Sequence, residues 1–182
     1  CGVLSSAIGM DKDMARRVVS GYGIVFAGYR CVSAFDSLDV KQQVCDKAIH
    51  DLGWPLFVKP CSLGSSVGIS KVEDVQALME AVDKALAFDS EVLIEAFVTG
   101  REIELAVLEN RECPQTPLVS VAGEIKVHHQ DGFYSYDAKY IQADKTELIA
   151  PAILEDTVLK TLQQFAATVF TALKCKGLAR VD

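Results

Sequence analysis

The apolar positions of the chain follow two different periods. A spacing of three to four residues, which is typical of amphipathic helices, marks the segments 11–19, 38–52, 73–88 and 154–173. Short runs of β-branched and aliphatic residues predict strands at 56–59, 69–72, 91–98, 102–108 and 118–121, with a further one beginning at 178. This mixture predicts an α+β fold with antiparallel sheets, without internal repeats or low-complexity linkers.

A loop rich in glycine and serine follows the first predicted strand. Lys59 ends this apolar run, and Pro60-Cys61-Ser62-Leu63-Gly64-Ser65-Ser66-Val67-Gly68 comes next. Glycines let a backbone approach an anion closely, hydroxyl groups donate hydrogen bonds and a lysine supplies positive charge, so this loop could hold phosphate. It is not a Walker A loop, because a predicted strand follows Gly68 instead of a Lys-Ser/Thr pair and a helix. For the loop taken alone, an ordinary hairpin turn is the alternative.

Two glutamates flank the predicted turn at Thr99-Gly100. Glu95 lies late in the strand before it and Glu102 early in the strand after it, so both could accept hydrogen bonds from the amino and hydroxyl groups of a nucleotide. The apolar residues that could enclose an adenine ring here are Ile94, Phe97 and Val98. Exposed glutamates of a half-buried sheet are the alternative, and we expect Glu104 to face solvent.

The segment 131–140, Asp-Gly-Phe-Tyr-Ser-Tyr-Asp-Ala-Lys-Tyr, is too polar for a core and too aromatic for a plain linker. A long irregular segment inside a compact domain is usually a lid or a binding loop, and this one carries a lysine and several phenolic hydroxyls. A surface loop held by tyrosines that pack on the sheet is the alternative. His128 and His129 precede it, but neighbours on an extended chain point to opposite faces, so we expect no metal site there.

Arg180 and Asp182 are two residues apart on the last predicted strand, so their side chains should share one face. An arginine suits a phosphoryl group or an oxyanion, and an aspartate suits Mg²⁺. A plain ion pair is the alternative. Lys12, in the first turn of a predicted helix, is by default a solvated lysine.

Composition and charge exclude several classes of partner. Half of the 182 residues are apolar, and the net charge is −7 with 18 scattered lysines and arginines, which argues against nucleic acid. Charged residues break the apolar runs well short of a bilayer span, so no membrane is expected. The cysteines are Cys1, Cys31, Cys45, Cys61, Cys113 and Cys175. They form no Cys-x-x-Cys pair and predict buried free thiols in a reducing cytoplasm.

Taken in order along the chain, these motifs resemble the successive signatures of the D-alanine–D-alanine ligase family of ATP-grasp enzymes. The matching stretches are Met10-Asp11-Lys12, Phe57–Pro60 with Gly64–Gly68, Ile94–Phe97 with Gly100–Glu104, Phe133–Tyr140 and Ala179–Asp182. Several motifs in register are far more specific than any one of them. The resemblance implies an ATP-grasp fold, in which two α+β subdomains with antiparallel sheets hold ATP between them.

The resemblance also implies a reaction, the ATP-dependent ligation of two D-alanine molecules to D-alanyl-D-alanine for peptidoglycan synthesis. ATP phosphorylates the carboxylate of one D-alanine, and the amino group of the second attacks the resulting acyl phosphate. By position, the implied ATP contacts are Lys12, Lys59 and Lys139 at the phosphates, Ser66 in the phosphate loop, Glu95, Phe97 and Val98 at the adenine, and Glu102 at the ribose. The implied catalytic residues are Arg180 at the acyl phosphate and oxyanion, and Ser65 with Tyr140 across a closed lid. Asp182 would be the first ligand of Mg²⁺ or Mn²⁺.

Domain limits follow from the same resemblance. Residues 1–10 would end an N-terminal domain, residues 11–98 would form the central subdomain with the phosphate loop, and residues 99–182 would form an incomplete C-terminal subdomain with a lid loop at 123–150. The chain starts at Cys1 without a methionine and stops at Asp182 in a predicted strand, so we expect a fragment. It would lack the N-terminal carboxylate that anchors the first D-alanine, and the glutamate and asparagine that complete the Mg²⁺ sites of the family.

The chain differs from the family pattern at one residue, and two other functions remain open. Ala96 stands where the family often has a lysine, which changes little because backbone groups make that contact. Tyr140, in a tyrosine-rich lid, favours an amine over a hydroxy acid as second nucleophile. The chain could instead be a non-catalytic nucleotide-binding fragment or part of an ATP-grasp ligase for another acid and amine. A full-length homodimer in the cytoplasm is expected.

Overall fold

The computed structural model describes residues 2–113, 115–127 and 146–182. The helices are α1 (Val3–Met10), α2 (Lys12–Ser20), α3 (Leu38–Leu52), α4 (Val75–Leu86) and α5 (Asp156–Ala172). The strands are β1 (Tyr29–Ser33), β2 (Leu56–Pro60), β3 (Ser70–Val72), β4 (Glu91–Ala96), β5 (Glu102–Leu108), β6 (Leu118–Val127), β7 (Thr146–Ile149) and β8 (Leu178–Val181). Within these ranges, no helix combines the length and the apolar character that a membrane crossing requires.

The described residues divide into two compact units. Residues 10–13 and 26–99 form the first unit, and residues 2–9, 14–25 and the described part of 100–182 form the second. Each unit contains its own four-stranded antiparallel sheet. The α+β fold with antiparallel sheets is therefore confirmed, whereas the domain limits expected from the sequence stay a prediction.

The first unit packs two helices on one face of its sheet. The strand order is β1-β4-β2-β3, and Val58 of β2 lies opposite Ile94 of β4. Alternate strand residues join α3 and α4 in one buried cluster: Val32, Cys45, Ala48, Leu56, Val58, Val72, Leu78, Ala81, Val82, Ala85, Val92 and Ile94. Full burial of a large apolar side chain is worth roughly 1.5–3 kcal/mol. This face therefore holds the unit together, and the residues between these positions point to the other face.

Side-chain caps fix where the two helices begin. The hydroxyl of Ser37 accepts a hydrogen bond from the N–H of Val40, and the carboxylate of Asp74 accepts one from the N–H of Ala77 at 2.8 Å. Each cap satisfies a backbone donor that the helix cannot. Helix α3 has the bounds predicted for it, but α4 begins two residues later than predicted because Asp74 is its cap.

The second unit packs α5 on one face of its sheet. The strand order is β7-β6-β5-β8, and the buried residues are Leu105, Val107, Ala122, Ala166 and Phe170. Ala179 and Val181 of β8 pack against this cluster. Residues at the intervening positions of β5 and β8, among them Glu104 and Arg180, therefore lie on the opposite face.

Several elements were not predicted or have other limits. Helix α1 and strands β1 and β7 were missed, and β1 gives a weak signal because Val32 is its one buried residue. The lid loop predicted at 123–150 is wrong at both ends. Residues 123–127 belong to β6 and residues 146–149 form β7, which pair with each other. The remainder of that prediction, residues 128–145, lies outside the described residues.

The described cysteines are free, as predicted, but they are not uniformly buried. Cys45 and Cys61 are buried, Cys175 is intermediate, and Cys31 and Cys113 are exposed. The prediction of buried thiols is therefore wrong for Cys31 and Cys113. Cys31 lies on the strand face away from the helices, and Cys113 lies in the connection between β5 and β6. Burial raises the pKa of the Cys45 thiol to about 11, with Asp46 adding to the effect.

An ion pair anchors the start of β5 to β6. The guanidinium of Arg101 donates two hydrogen bonds to Glu124, at 2.8 and 2.7 Å, and a third to the carbonyl oxygen of Ile153. Glu124 is 5% exposed, and its hydrogen bonds to Arg101 hold the pKa of the Glu124 carboxyl below its usual value. A paired, bidentate carboxylate of this kind stabilises the fold only while it is ionised.

Acidification should therefore weaken this contact. A carboxyl with a lowered folded-state pKa contributes stability above its unfolded pKa of about 4.3, and loses it as the pH falls through the folded value. We expect the free energy of unfolding to fall below about pH 4, and Glu124→Gln to remove part of that fall. Urea denaturation of both proteins at pH 7 and at pH 3 measures this. An equal drop in both would contradict the assignment.

Candidate active site

The loop after β2 turns at two serines with a left-handed backbone. Ser65 and Ser66 have φ angles of 54° and 58°, and the N–H of Val67 donates to the carbonyl oxygen of Gly64 at 3.1 Å. Positive φ at both central residues is the geometry of a type I′ turn, which serine seldom adopts. Strained backbone of this kind is concentrated at binding sites.

Gly68 is the glycine that this loop requires. It has a φ of 71°, and a Cβ atom there would lie 2.8 Å from Cγ of Pro60 and 3.1 Å from Cδ2 of Phe88. Gly64, by contrast, has open space around the position of a Cβ atom and no positive φ. The backbone conformation of the loop therefore requires a glycine at position 68 but not at position 64.

Lys59, at the end of β2, forms an ion pair with Glu95 of β4. The Nζ atom lies 2.9 Å from Oε2 of Glu95, and the two side chains are 22% and 11% exposed. The same ammonium lies 5.2 Å from the centre of the Phe57 ring. Both partners occupy the sheet face opposite the helices, so a partly buried positive charge is fixed at the start of the serine-rich loop.

Two aromatic rings lie on the same face of the sheet, near the end of β4. Phe97 packs on Phe57 with ring centres 5.7 Å apart, and the ammonium of Lys71 lies 5.1 Å from the Phe97 ring. Val98, the next residue, is exposed. An apolar wall with cations at both ends suits the flat, polar-edged ring of a nucleotide base.

Lys12 is bound to the loop after β2. The default expectation of a solvated lysine is therefore wrong. Its ammonium donates to the carbonyl oxygens of Pro60 at 2.9 Å, Cys61 at 3.3 Å and Leu63, and its backbone N–H also donates to Cys61. Lys12 begins α2, directly after the turn that follows α1, and this turn brings its charge to the end of β2. Lys12 thus fixes the first residues of the loop.

The second unit carries its own charged cluster on the face away from α5. Asp182 accepts hydrogen bonds from Nε and Nη2 of Arg180, at 2.6 and 2.8 Å, and Nη1 of Arg180 lies 3.2 Å from Oε2 of Glu104. Glu102 precedes Glu104 by two residues on the same strand face and is exposed. The solvent-facing position expected for Glu104 is wrong, since its side chain is 26% exposed and its Oε2 is buried.

The predicted site residues fall into three groups. Those in the first unit are Lys12, Lys59, Ser65, Ser66, Glu95, Phe97 and Val98, and those in the second are Glu102, Arg180 and Asp182. Lys139 and Tyr140 lie outside the described residues. Sequence reasoning missed Phe57, Lys71 and Glu104, which strand alternation alone would have put on the same faces as Lys59 and Arg180.

Comparison with known proteins decides the family. The family described as D-ala D-ala ligase C-terminus matches residues 18–182. The chain belongs to this family. A D-alanine–D-alanine ligase of Legionella pneumophila (strain Corby) is 54% identical to it over 182 residues, which are 100% of this chain and 50% of the relative. One of Chlorobaculum parvum is 43% identical over 100% of this chain and 48% of the relative. The chain thus spans about half the length of the relatives it matches.

Solved structures agree with this D-Ala–D-Ala ligase family member in fold. The VanG D-Ala:D-Ser ligase from Enterococcus faecalis has a TM-score of 0.83 and 34% identity, over 100% of this chain and 50% of that one. The D-alanine-D-alanine ligase from Coxiella burnetii has a TM-score of 0.76 and 32% identity, over 100% and 44%. The predicted ATP-grasp fold class is therefore confirmed.

Gly68→Ala should destabilise the protein, because alanine must take a positive φ and collide with Pro60. The expected loss is about 1–3 kcal/mol, the usual scale of backbone strain. Gly64→Ala is the matched control and should change stability by less than about 1 kcal/mol. Urea denaturation of both variants checks this, and equal effects would remove the special role of Gly68.

Proposed function

We propose that this chain is the ATP-binding half of a ligase that joins two D-alanine molecules through an acyl phosphate, for peptidoglycan synthesis in the cytoplasm. The observation that carries the proposal is the strained serine turn beside the Lys59–Glu95 pair, in a chain 54% identical to a D-alanine–D-alanine ligase. A ligase of full family length that contains these 182 residues is called the full-length ligase.

ATP is proposed to bind in the first unit, at the loop after β2 and at residues 95–98 around the end of β4. Lys59 would meet the phosphates, Ser66 would donate to them, and Phe97 with Val98 would enclose the adenine while Glu95 accepts from its amino group. The Lys59 ammonium lies 2.9 Å from Oε2 of Glu95. A phosphate would compete with this carboxylate for the cation. The ion pair with Glu95 keeps the ammonium at the start of the loop, where the phosphates would bind.

Lys12 is proposed to act at the same loop. Its ammonium donates hydrogen bonds to the carbonyl oxygens of Pro60 and Cys61. A contact from Lys12 to a phosphate would require it to exchange at least one of these bonds. Its support for the loop backbone is the role that its described contacts favour.

The chemistry is proposed to centre on Arg180. The carboxylate of the first D-alanine attacks the γ-phosphorus of ATP, which gives an acyl phosphate and ADP. The amino nitrogen of the second D-alanine then attacks the acyl carbon, loses a proton, and phosphate leaves. Negative charge grows on the carbonyl oxygen in that step, and a guanidinium can stabilise it with paired hydrogen bonds. Glu102 would accept from the ribose hydroxyls.

Mg²⁺, or Mn²⁺, is proposed as the metal of the reaction, with Asp182 as one ligand. The described residues contain no group of three or more His, Cys, Asp or Glu side chains that could hold a metal ion, and both oxygens of Asp182 bind Arg180. These residues therefore do not form a metal site by themselves. The full-length ligase is expected to be a homodimer.

The lid proposal concerns Lys139, Tyr140 and Ser65. Lys139 would reach the phosphates, and Tyr140 would bond to Ser65 and orient the second D-alanine. Ser65 is exposed at the tip of the serine turn, and this exposed position supports a contact with another segment.

The full-length ligase should release phosphate and form the dipeptide only with ATP and D-alanine together. The 182-residue chain alone should bind ATP without turnover, because its described residues contain no group of side chains that could hold the metal ion. Calorimetric titration with ATP and a phosphate-release assay measure the two properties. ATP binding without any D-alanine-dependent turnover in the full-length ligase would favour a non-catalytic nucleotide-binding protein instead. A higher rate with D-serine as second substrate would favour another acid–amine pair.

Lys59→Ala in the full-length ligase should raise the KM for ATP and lower kcat, because the lysine would touch phosphate in both ground and transition states. Lys84→Ala, an exposed lysine on α4, is the matched control. Steady-state kinetics of both variants test this. An unchanged KM and kcat for Lys59→Ala would mean that Lys59 has only a structural role, in the ion pair with Glu95.

Tyr140→Phe and Ser65→Ala should each weaken the apparent affinity for the second D-alanine more than that for ATP. If the two side chains bond to each other, the double mutant should be no worse than the poorer single mutant, with a coupling of about 1–2 kcal/mol. Additive losses in this cycle would leave Tyr140 as a packing residue.

A further inference from the structure

The carboxylate of Glu104 is built into the strand surface beside Arg180. Strands β5 and β8 pair with Leu105 opposite Val181 and Ala106 opposite Arg180. Glu104 therefore lies on the same face as Arg180, one diagonal step away. Ala106 offers only a methyl group at the position facing Arg180, so nothing at this site on β5 separates the guanidinium from Glu104.

The Glu104 carboxylate lies beside Gly123 of the neighbouring strand. Gly123 of β6 is the residue directly opposite Glu104. A Cβ atom on Gly123 would lie 3.4 Å from Cγ and 3.5 Å from Oε1 of Glu104. A methyl group at 123 would be in ordinary van der Waals contact with Glu104, whose Oε2 atom is buried. A longer side chain at 123 would press directly on the carboxylate.

Burial of a carboxylate oxygen demands compensation. No hydrogen bond reaches Oε2 of Glu104 from the part of the chain that the structure describes, but Nη1 of Arg180 lies 3.2 Å away. A desolvated negative charge without a hydrogen bond is costly, and a nearby guanidinium reduces that cost. The contact therefore restrains both partners.

Arg180 uses separate edges for its two acidic partners. Nε and Nη2 bind Asp182, whereas Nη1 faces Glu104. Asp182 is 59% exposed, so it can turn to another ligand, while Glu104 is 26% exposed and enclosed by the strand. If Asp182 leaves the guanidinium, the contact with Glu104 still holds Nη1 in place, and the edge formed by Nε and Nη2 is released.

We propose that Glu104 is a positioning residue that holds the Arg180 guanidinium in place, so that its Nε–Nη2 edge can bind the reacting oxyanion once Asp182 is engaged elsewhere. This proposal rests on the role of Arg180 under the proposed function. It concerns the orientation of Arg180 and assigns no contact between Glu104 and substrate.

The test is a set of variants of the full-length ligase. Glu104→Gln should lower kcat about tenfold, because Arg180 would lose its fixed orientation in the transition state, while the KM for ATP changes less than about twofold. Glu112→Gln is the matched control, since it removes the same charge from an exposed turn of the same unit. A thermal melt of each variant separates lost folding from lost orientation.

A double-mutant cycle with Arg180→Ala distinguishes the possible failures. If Glu104 acts through Arg180, Glu104→Gln should have no further effect on kcat in the Arg180→Ala background. Additive losses, or a Glu104→Gln variant with the kcat of Glu112→Gln, would overturn the proposal while leaving the proposed function intact. Full activity of Arg180→Ala would instead overturn the proposed role of Arg180.

Gly123→Val provides a second variant that keeps the charge. Its side chain should displace the Glu104 carboxylate and reproduce the kcat loss without changing the KM for ATP, and it replaces Glu104→Gln in the cycle if that variant does not fold. A folded Gly123→Val variant with unchanged kcat would count against the proposal.

Discussion

The fold depends on the burial of one face of each antiparallel sheet under helices. In the first unit this face carries Val58 and Ile94 against α3 and α4, and in the second it carries Leu105 and Val107 against α5. Because successive residues of a strand alternate between faces, burial of one set fixes where the other set points. A one-residue slip of β2 would bury the Lys59 ammonium in the apolar core.

Core formation therefore determines which residues lie on the charged face of each unit, and ion pairs then fix the positions of their side chains. Lys59 and Glu95 compensate each other in the first unit, and Arg180 is held by Asp182 and Glu104 in the second. Partly buried charges cost free energy unless they are paired, so these contacts keep the side chains ordered before any ligand binds. A ligand that takes Lys59 or Arg180 from these pairs must therefore bind the cation more strongly than the carboxylates do.

The sequence predicted the elements whose pattern is strong and local. Helix α3 has a helical stripe and a terminal glycine, and β5 has a clear turn before it, so their bounds were correct. Strand β1 was missed because a single buried valine gives no alternation, and the extension of β6 was missed because its partner β7 lies far along the chain. Lys12 and Glu104 were assigned to solvent because their partners, carbonyl oxygens of the loop and Arg180, come close only after folding.

The most direct test of the account is a two-dimensional NMR titration of the 182-residue chain with a non-hydrolysable ATP analogue. If the face opposite the helices binds the nucleotide, amide shifts should concentrate in residues 59–68 and 95–98. Helices α3 and α4, on the other face of the same sheet, should change little. If no amide shifts appear at saturating analogue, or if the shifts are confined to α3 and α4, then the sheet face opposite the helices does not bind the nucleotide.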